Sequence, residues 1–300
     1  MSESQQDDQI SPLDFGKYHT EPQRDHREIK YMPTKLSEPR GSQQYPQHVA
    51  VVIDDDTTSN NESRWYAKNN QYKQLIGNER TGFVKKVYSI MIIQLLITMI
   101  MCIISYVSID YRMFQLQNSG YAYLALGIAI FIEVILFCIP KFAWRVPYNY
   151  LLLLIFTVCE GYLISNLCSY VFDEYSENGG YIVLMAASLS LAAVIGLTFY
   201  ACKTKSDFTT KGALLFMCTT SLLLFGIMAG IYYQNVINLL YSLICSLLFG
   251  AYLIYDTQLI LGGSTHKLSI DDYIIGSMII YIDIVYLFAH ILMVLIACLR

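Results

Sequence analysis

Four acidic residues interrupt long apolar runs of this 300-residue chain, at Glu133, Glu160, Asp256 and Asp283. No Lys or Arg lies in the interior of the same runs to pair with them. A carboxylate near the centre of a lipid bilayer costs on the order of 3 kcal/mol, so each one needs a reason to be there. One reason is structural, a protonated or hydrogen-bonded carboxyl that joins two helices. The other is functional, an ion or proton pathway.

Asp256 and Asp283 stand in two consecutive apolar runs, one near the end of its run and the other ten residues into the next. A helical hairpin makes these runs neighbours, and helix tilt and side-chain reach bring the carboxyls together. Two carboxylates in a low-dielectric site do not readily ionise together, so they share one proton and repel when it is lost. Their ionised oxygens suit Ca²⁺. Asp256 and Asp283 are therefore candidates for a pH-sensitive latch and, when unpaired, for a calcium site, beside the structural interpretation of a shared proton that joins the two helices.

Three further residues are candidates for a secondary role in this site. Glu133 is predicted to lie at the same depth in the membrane as Asp256, and Glu160 lies near the middle of its run. His290 follows Asp283 by seven residues, so the two share one helical face. Each also has a structural interpretation as a hydrogen-bonding group, and for a single buried His this is the more common case. Both interpretations stay open for all three residues.

The composition indicates which elements must hold these residues. Hydrophobic residues make up 55% of the chain and charged residues 15%, where a soluble domain carries roughly 25% charge. Residues 1–82 hold 23 of the 44 charged residues, so the remainder is too poorly charged to form a water-facing surface. The formal net charge of −4 argues against nucleic acid as a partner. The eight cysteines form no CxxC pair, so we expect neither a disulfide framework nor a zinc site. We expect no cofactor.

From residue 83 onward, seven apolar runs are long enough to cross a bilayer of about 30 Å as helices of about 20 residues. We expect helices rather than barrel strands, because a continuous apolar run can form all of its backbone hydrogen bonds within itself only as a helix. We predict an all-α polytopic membrane protein, a seven-transmembrane-helix bundle at 83–300 behind a disordered tail at 1–82. The predicted spans are 84–109, 121–139, 148–171, 181–202, 213–233, 236–261 and 273–298.

Lys and Arg in the loops predict the orientation of the chain. Alternate loops carry ten basic residues on one side of the membrane and two on the other, and the richer side is cytosolic. The N-terminal tail is then cytosolic, unlike that of a G-protein-coupled receptor. Seven crossings put the C-terminus on the far side, and a re-entrant last segment would return it to the cytosol. Span lengths do not choose among the endoplasmic reticulum, the Golgi, other endomembranes and the plasma membrane.

Several segments resemble the transmembrane Bax-inhibitor motif family. They are FVKKVYSI at 83–90, FGAYLIYDTQLI at 249–260 followed by Gly262 and Gly263, SIDDY at 269–273, and IYIDIVYLF at 280–288. The long tail and the Glu160-Gly161 step look like the lifeguard branch of that family. The resemblance covers residues 83–298, and its most specific part lies in the last two spans.

This resemblance implies a seven-helix fold with the last helix near the centre of the bundle. It also implies a pH-sensitive Ca²⁺ leak from internal stores and suppression of cell death, with the family's two-aspartate sensor at Asp256 and Asp283. The implied partners are the lipid bilayer, calcium ions, and Bcl-2-type proteins or death-receptor components, and no enzymatic activity is expected. One departure is on the second span, where the family's basic residue is absent and Glu133 is present.

Two other functions compete with the leak channel. A non-conducting interaction protein would suppress cell death without any Ca²⁺ flux of its own. An intramembrane aspartyl protease also carries two aspartates on adjacent helices, but the bulky residues 280–282 before Asp283 would deny a substrate strand access. A protease would bind transition-state aspartyl inhibitors, whereas a leak channel would not.

Overall fold

The computed structural model describes residues 28–29, 52–53, 58–231, 235–263 and 265–299. The chain divides into two compact units, Met1–Tyr72 and Lys73–Arg300. In the first unit, strands β1 (Glu28–Ile29) and β2 (Val52–Ile53) pair antiparallel. This pair was not predicted, because so short a ladder leaves no period-two pattern in the sequence. Most of the predicted disordered tail lies outside the described residues, and there it stays a prediction.

The described residues form nine α-helices, and seven of them are long and apolar enough to span a membrane. The predicted all-α, seven-span fold is thereby confirmed. In chain order the helices are α1 (Thr58–Val107), α2 (Ile109–Gln117), α3 (Ser119–Cys138), α4 (Pro140–Trp144), α5 (Tyr148–Glu174), α6 (Gly179–Lys203), α7 (Gly212–Ile231), α8 (Asn235–Leu261) and α9 (Tyr273–Leu299). A 3-10 turn at Phe208–Lys211 precedes α7.

Helix α1 starts well before the predicted first span. It begins at Thr58, whereas the predicted membrane domain begins at residue 83. Residues 58–82 contain no proline, so nothing in their chemistry stops the helix from continuing upstream. An apolar run marks only the part of a helix that meets lipid, and a polar extension of the same helix leaves no such mark. The part of α1 that is apolar enough to span the membrane is Gly77–Val107.

Two segments that were predicted as loops contain the short helices α2 and α4. Ser108 precedes α2, and its side-chain oxygen accepts a hydrogen bond from the Tyr111 backbone N–H at 3.3 Å, as an N-cap does. Pro140 occupies the start of α4, where a missing N–H costs no helical hydrogen bond. Both helices are too short for their periodicity to stand out from neighbouring apolar sequence.

Helix α9 lies at the centre of the membrane unit. It packs against α5, α6 and α8, and its Tyr281 hydroxyl is hydrogen-bonded to Thr98 of α1 at 2.8 Å. Met278 and Ile280 are two residues apart and so point to nearly opposite sides of the helix, yet both are buried, which requires neighbours on several sides of α9. This arrangement agrees with the central last helix that the resemblance implied. The most extensive partner of α9 is α8, with which it forms a helical hairpin.

Candidate functional site

Asp256 and Asp283 face each other across the α8–α9 hairpin. Their side chains are buried, with 7% and 4% of their surface exposed, and the two carboxyls are in hydrogen-bonding contact. Two carboxyls in such contact favour one shared proton, because two ionised groups would repel each other in a low-dielectric interior. The structure brings together the two residues that the sequence placed on neighbouring helices. Their role as a sensor stays a prediction.

The surroundings of the pair supply few compensating groups. Asp283 Oδ2 is buried and has no hydrogen-bond partner among the described residues, and no Lys or Arg of the described region is fully buried. Tyr252 lies close enough to interact electrostatically with both carboxyls, but its hydroxyl is hydrogen-bonded to Thr219 at 2.8 Å. Loss of the shared proton would therefore add a negative charge to the bundle interior without a cation to balance it.

Arg80 of α1 holds the end of α8 and the loop that follows. Its Nη2 donates to the Leu259 carbonyl at 2.7 Å, and its Nη1 donates to the Leu268 carbonyl at 2.6 Å. Leu259 lies about one helical turn beyond Asp256, so this contact holds the turn that carries the aspartate. The loop starts at Gly262, whose φ of 94° favours a residue without a Cβ. Sequence reasoning used Arg80 only as an orientation signal and missed this role.

Side chains also join the α6–α7 loop to the end of α8. Gln258 Oε1 accepts a hydrogen bond from the Phe208 backbone N–H at 2.8 Å. Asp207 Oδ2 accepts hydrogen bonds from the backbone N–H and the hydroxyl of Thr265, at 3.1 and 2.8 Å. A cavity of about 270 Å³ lies between the two loops and is lined in part by Gln258. The aspartate end of the hairpin is thus closed by two cross-linked loops with open volume between them.

Glu160 and Glu133 form a second acidic position, on α5 and α3. Glu160 is buried, and the Tyr286 hydroxyl of α9 donates a hydrogen bond to its Oε1 at 3.4 Å. Glu133 is half-buried and lies close enough to interact electrostatically with Glu160. The structure therefore joins these two secondary candidates to each other. Among the hydrogen bonds of the described residues, neither reaches Asp256 or Asp283.

His290 lies in an aromatic cluster. Its ring stacks on Phe249 of α8 with 5.5 Å between the centroids, and it makes an edge contact with Tyr241 at 6.0 Å. Its Nδ1 is buried and has no hydrogen-bond partner in the described part of the chain. The face that His290 shares with Asp283 gives no direct contact there, because seven residues span two turns, about 10 Å along the axis.

The described residues contain no group of three or more His, Cys, Asp or Glu side chains that could hold a metal ion. Two carboxylates supply fewer oxygens than the roughly six to eight that Ca²⁺ takes. Calcium at Asp256 and Asp283 therefore needs further oxygens from water or backbone carbonyls.

A row of neutral polar side chains, which sequence reasoning missed, runs between α1, α5 and α9. Gln94 Nε2 donates to Thr157 Oγ1 at 3.0 Å, and one turn further along α1 Thr98 is hydrogen-bonded to Tyr281 at 2.8 Å. All four side chains are buried, and we call them the polar row. The signal in the sequence is the four-residue spacing of Gln94 and Thr98, which places both on one helical face. That spacing does not identify Thr157 and Tyr281 as the partners of these two residues.

The fold and these positions define a seven-helix membrane protein with a buried carboxylate pair in its last hairpin and neutral polar groups in its interior. Residues 80–298 match the model of a protein family described as inhibitor of apoptosis-promoting Bax1. The chain belongs to this family, which confirms the resemblance seen in its last two spans.

Lifeguard proteins are among the relatives of this chain. It is 34% identical to human protein lifeguard 3 over 218 residues, which are 71% of this chain and 68% of the relative. It is 31% identical to mouse protein lifeguard 3, with the same shares of 71% and 68%. It is 30% identical to mouse protein lifeguard 4 over 213 residues, 71% of this chain and 84% of the relative. The predicted lifeguard branch is confirmed by these matches.

Proposed function

We propose that this protein is a pH-sensitive calcium leak channel of internal membranes that suppresses cell death, with Asp256 and Asp283 as its sensor. The observation that carries the proposal is the contact between two buried carboxyls on neighbouring helices. The family description, inhibitor of apoptosis-promoting Bax1, supports the suppression of cell death. No enzymatic activity is expected, since α9 is helical without interruption around Asp283 and offers a substrate strand no opening.

Loss of the shared proton supplies the force for opening. Two negative charges about 4 Å apart repel by about 4 kcal/mol at an effective dielectric constant near 20. A free energy of that size changes the ratio of open to closed protein roughly a thousandfold. A rise in pH removes the proton and favours the separated, open state, and a fall in pH restores the proton and the closed contact.

The proposed orientation places the sensor towards the cytosol. The ten-to-two distribution of Lys and Arg in the loops supports a cytosolic N-terminus. The α8–α9 loop is then cytosolic, so cytosolic pH sets the occupancy of the shared proton on Asp256 and Asp283. The proposed compartments are the endoplasmic reticulum, the Golgi and other endomembranes, with the plasma membrane as an alternative. The proposed protein partners are Bcl-2-type proteins or death-receptor components.

The test uses the full-length protein in liposomes that contain a Ca²⁺ indicator, with flux measured between about pH 6 and pH 8. Asp283→Asn keeps the size of the side chain but cannot ionise, so the leak should lose most of its response to pH. Asp256→Asn should do the same, and the double variant should add little, because residues that act as one unit are not additive. Asp173→Asn, which changes an exposed carboxyl, should keep the wild-type response.

Two results would contradict the proposal in different ways. A normal pH response in both aspartate variants would reject the paired sensor and make Glu160 the next candidate. No Ca²⁺ flux from the wild-type protein would reject the leak and favour a non-conducting interaction protein. Glu133→Gln addresses the second acidic position, and an unchanged pH response would assign that residue a structural role.

A further inference from the structure

A buried amide closes the end of the bundle that lies opposite the aspartate pair. Arg80 of α1 contacts the α8–α9 loop. Ser105 comes 25 residues later in the same helix, about 37 Å further along the axis at 1.5 Å per residue. There the short helix α2 presents Gln115, which is completely buried. A neutral amide at this depth needs partners for each of its polar atoms.

Gln115 finds those partners in serine hydroxyls of two long helices. Its Oε1 accepts hydrogen bonds from Ser105 of α1 and Ser169 of α5, both at 2.7 Å. Its Nε2 donates to Ser165 of α5 at 3.3 Å. All three serines are completely buried, and the hydroxyl oxygens of Ser105 and Ser169 are 2.6 Å apart. These four residues, here called the serine–glutamine cluster, form a compact set of neutral oxygens around one amide.

Open space lies beside the same residue. A cavity of about 500 Å³ is lined by Gln115 together with side chains of α5 and α9, among them Asn166 and Met293. Asn166 also donates a hydrogen bond to the Gln115 backbone carbonyl at 3.2 Å, so α5 holds α2 in this place. Gln115 is therefore the residue that the cavity and the serine–glutamine cluster have in common.

Towards the interior, the polar row lies further along the same two helices. Helices α1 and α5 run in the same direction, because the contacts Gln94–Thr157 and Ser105–Ser165 advance together along both helices. Gln94 and Ser105 are eleven residues apart, about 16 Å along the helix. Glu160 lies within this stretch of α5, between Thr157 and Ser165. Oxygen-bearing side chains of α1 and α5 therefore stand at both ends of this stretch, and Glu160 is the one carboxyl of α5 between them.

We propose that Gln115 is the gate of a calcium path at this end of the bundle. When α2 moves outward, the cavity joins the serine–glutamine cluster, and a cation passes along hydroxyl and amide oxygens to Glu160. These are hard oxygen ligands of the kind that Ca²⁺ accepts, and Glu160 adds the negative charge that the cluster lacks. The inference rests on the proposed leak and adds a second gate to it. A purely structural network would only hold α2 against α1 and α5.

The first test removes the amide. Gln115→Ala leaves the serines in place, and it should raise the Ca²⁺ leak of the full-length protein in liposomes about tenfold, which equals about 1.4 kcal/mol of lost closed-state bonding. Asn118→Ala is the matched control, because it removes an exposed amide that bonds the Phe114 carbonyl at the end of the same helix. That control should leave the leak unchanged. Equal leaks in the two variants would overturn the gate.

The second test closes the cluster reversibly and does not depend on a weakened fold. Ser105→Cys combined with Ser169→Cys replaces two oxygens that are 2.6 Å apart, so oxidation by copper phenanthroline in air should join the thiols. The oxidised double variant should lose most of its leak and regain it with dithiothreitol, whereas the two single variants should not respond. A leak that persists after the disulfide has been verified by mass spectrometry would show that the cluster is structural.

Flux from the wild-type protein and from Gln115→Ala distinguishes a protein without this gate from one without a leak. Wild-type flux that Gln115→Ala does not change rejects the gate alone. Absence of flux from both proteins rejects the leak and the gate together. Flux from Gln115→Ala with none from the wild type supports a gate that is closed in the wild-type protein.

Discussion

Replacing Arg80 with Ala should free the α8–α9 loop and loosen the helical turn that carries Asp256. The guanidinium joins α1 to two backbone carbonyls, those of Leu259 at the end of α8 and Leu268 in the loop. The loop is long and polar, so without this contact only its own hydrogen bonds and those to the α6–α7 loop, such as Thr265 to Asp207, would hold it. We expect local opening of the loop while the membrane spans stay folded.

The size of the effect follows from the two hydrogen bonds. They are 2.6 and 2.7 Å long, and a bond from a charged donor contributes roughly 1.5–3 kcal/mol. Arg80 is half-buried, so the lower value applies, about 3 kcal/mol for the two bonds together. Local opening should then become roughly a hundredfold more frequent. Arg80→Lys keeps the charge but has no fork to hold two carbonyls, so about tenfold is expected.

Hydrogen exchange of backbone amides measures this opening. The Leu268 N–H is the reporter, because it donates to the Leu259 carbonyl at 3.2 Å within the segment that Arg80 holds. Lys85→Ala removes an exposed cation from the same helix and should leave the exchange unchanged. Exchange at Leu268 that is equally slow in Arg80→Ala and in the wild type would refute the reasoning.

Three further predictions concern orientation, domain boundaries and packing. A polar segment with a glycosylation acceptor, inserted at residues 175–178 between α5 and α6, should acquire sugar while Asn61 stays bare; sugar on Asn61 would reverse the predicted orientation. Deletion of residues 1–70 should leave the membrane unit folded in detergent, since the core lies in the second unit; loss of that fold would contradict this. Gly179→Ala should lower the Tm by more than Gly161→Ala, because the added Cβ would lie 2.7 Å from a backbone oxygen of α5 in the first case and 2.8 Å from a flexible Met side chain in the second. Equal losses of Tm would argue against this packing.

The membrane spans could be predicted because each is a local property of the chain. About 20 consecutive apolar residues have one stable arrangement in lipid, a helix, whichever other helices surround them. The predicted span at 273–298 therefore agrees closely with α9, Tyr273–Leu299. Helix α2 and the upstream part of α1 were missed, because neither produces an apolar run of that length.

The aspartate contact could be predicted in part. Asp256 and Asp283 lie on either side of one loop, so a hairpin brings their helices together. The two carboxyls then meet if they lie at similar depths in the membrane. Arg80 and Leu268 are 188 residues apart, and Gln115 and Ser169 are 54 apart. Their partners are a backbone carbonyl and neutral hydroxyls, which occur throughout the chain and carry no distinguishing mark in the sequence.

The sequence by itself determined the number of spans, the class of protein and the presence of carboxyls without a cation to balance them. These properties depend on the free energy of moving each residue into lipid, which is nearly additive along the chain. Only the tertiary structure decided which polar groups meet. A hydrogen bond needs its atoms within about 3.5 Å, and a helix rotated by one residue, about 100°, turns a side chain to another neighbour. Height along the helix matters as well: Asp283 and His290 share one face of α9 but lie about 10 Å apart along its axis, so Asp283 meets Asp256 whereas His290 stacks on Phe249.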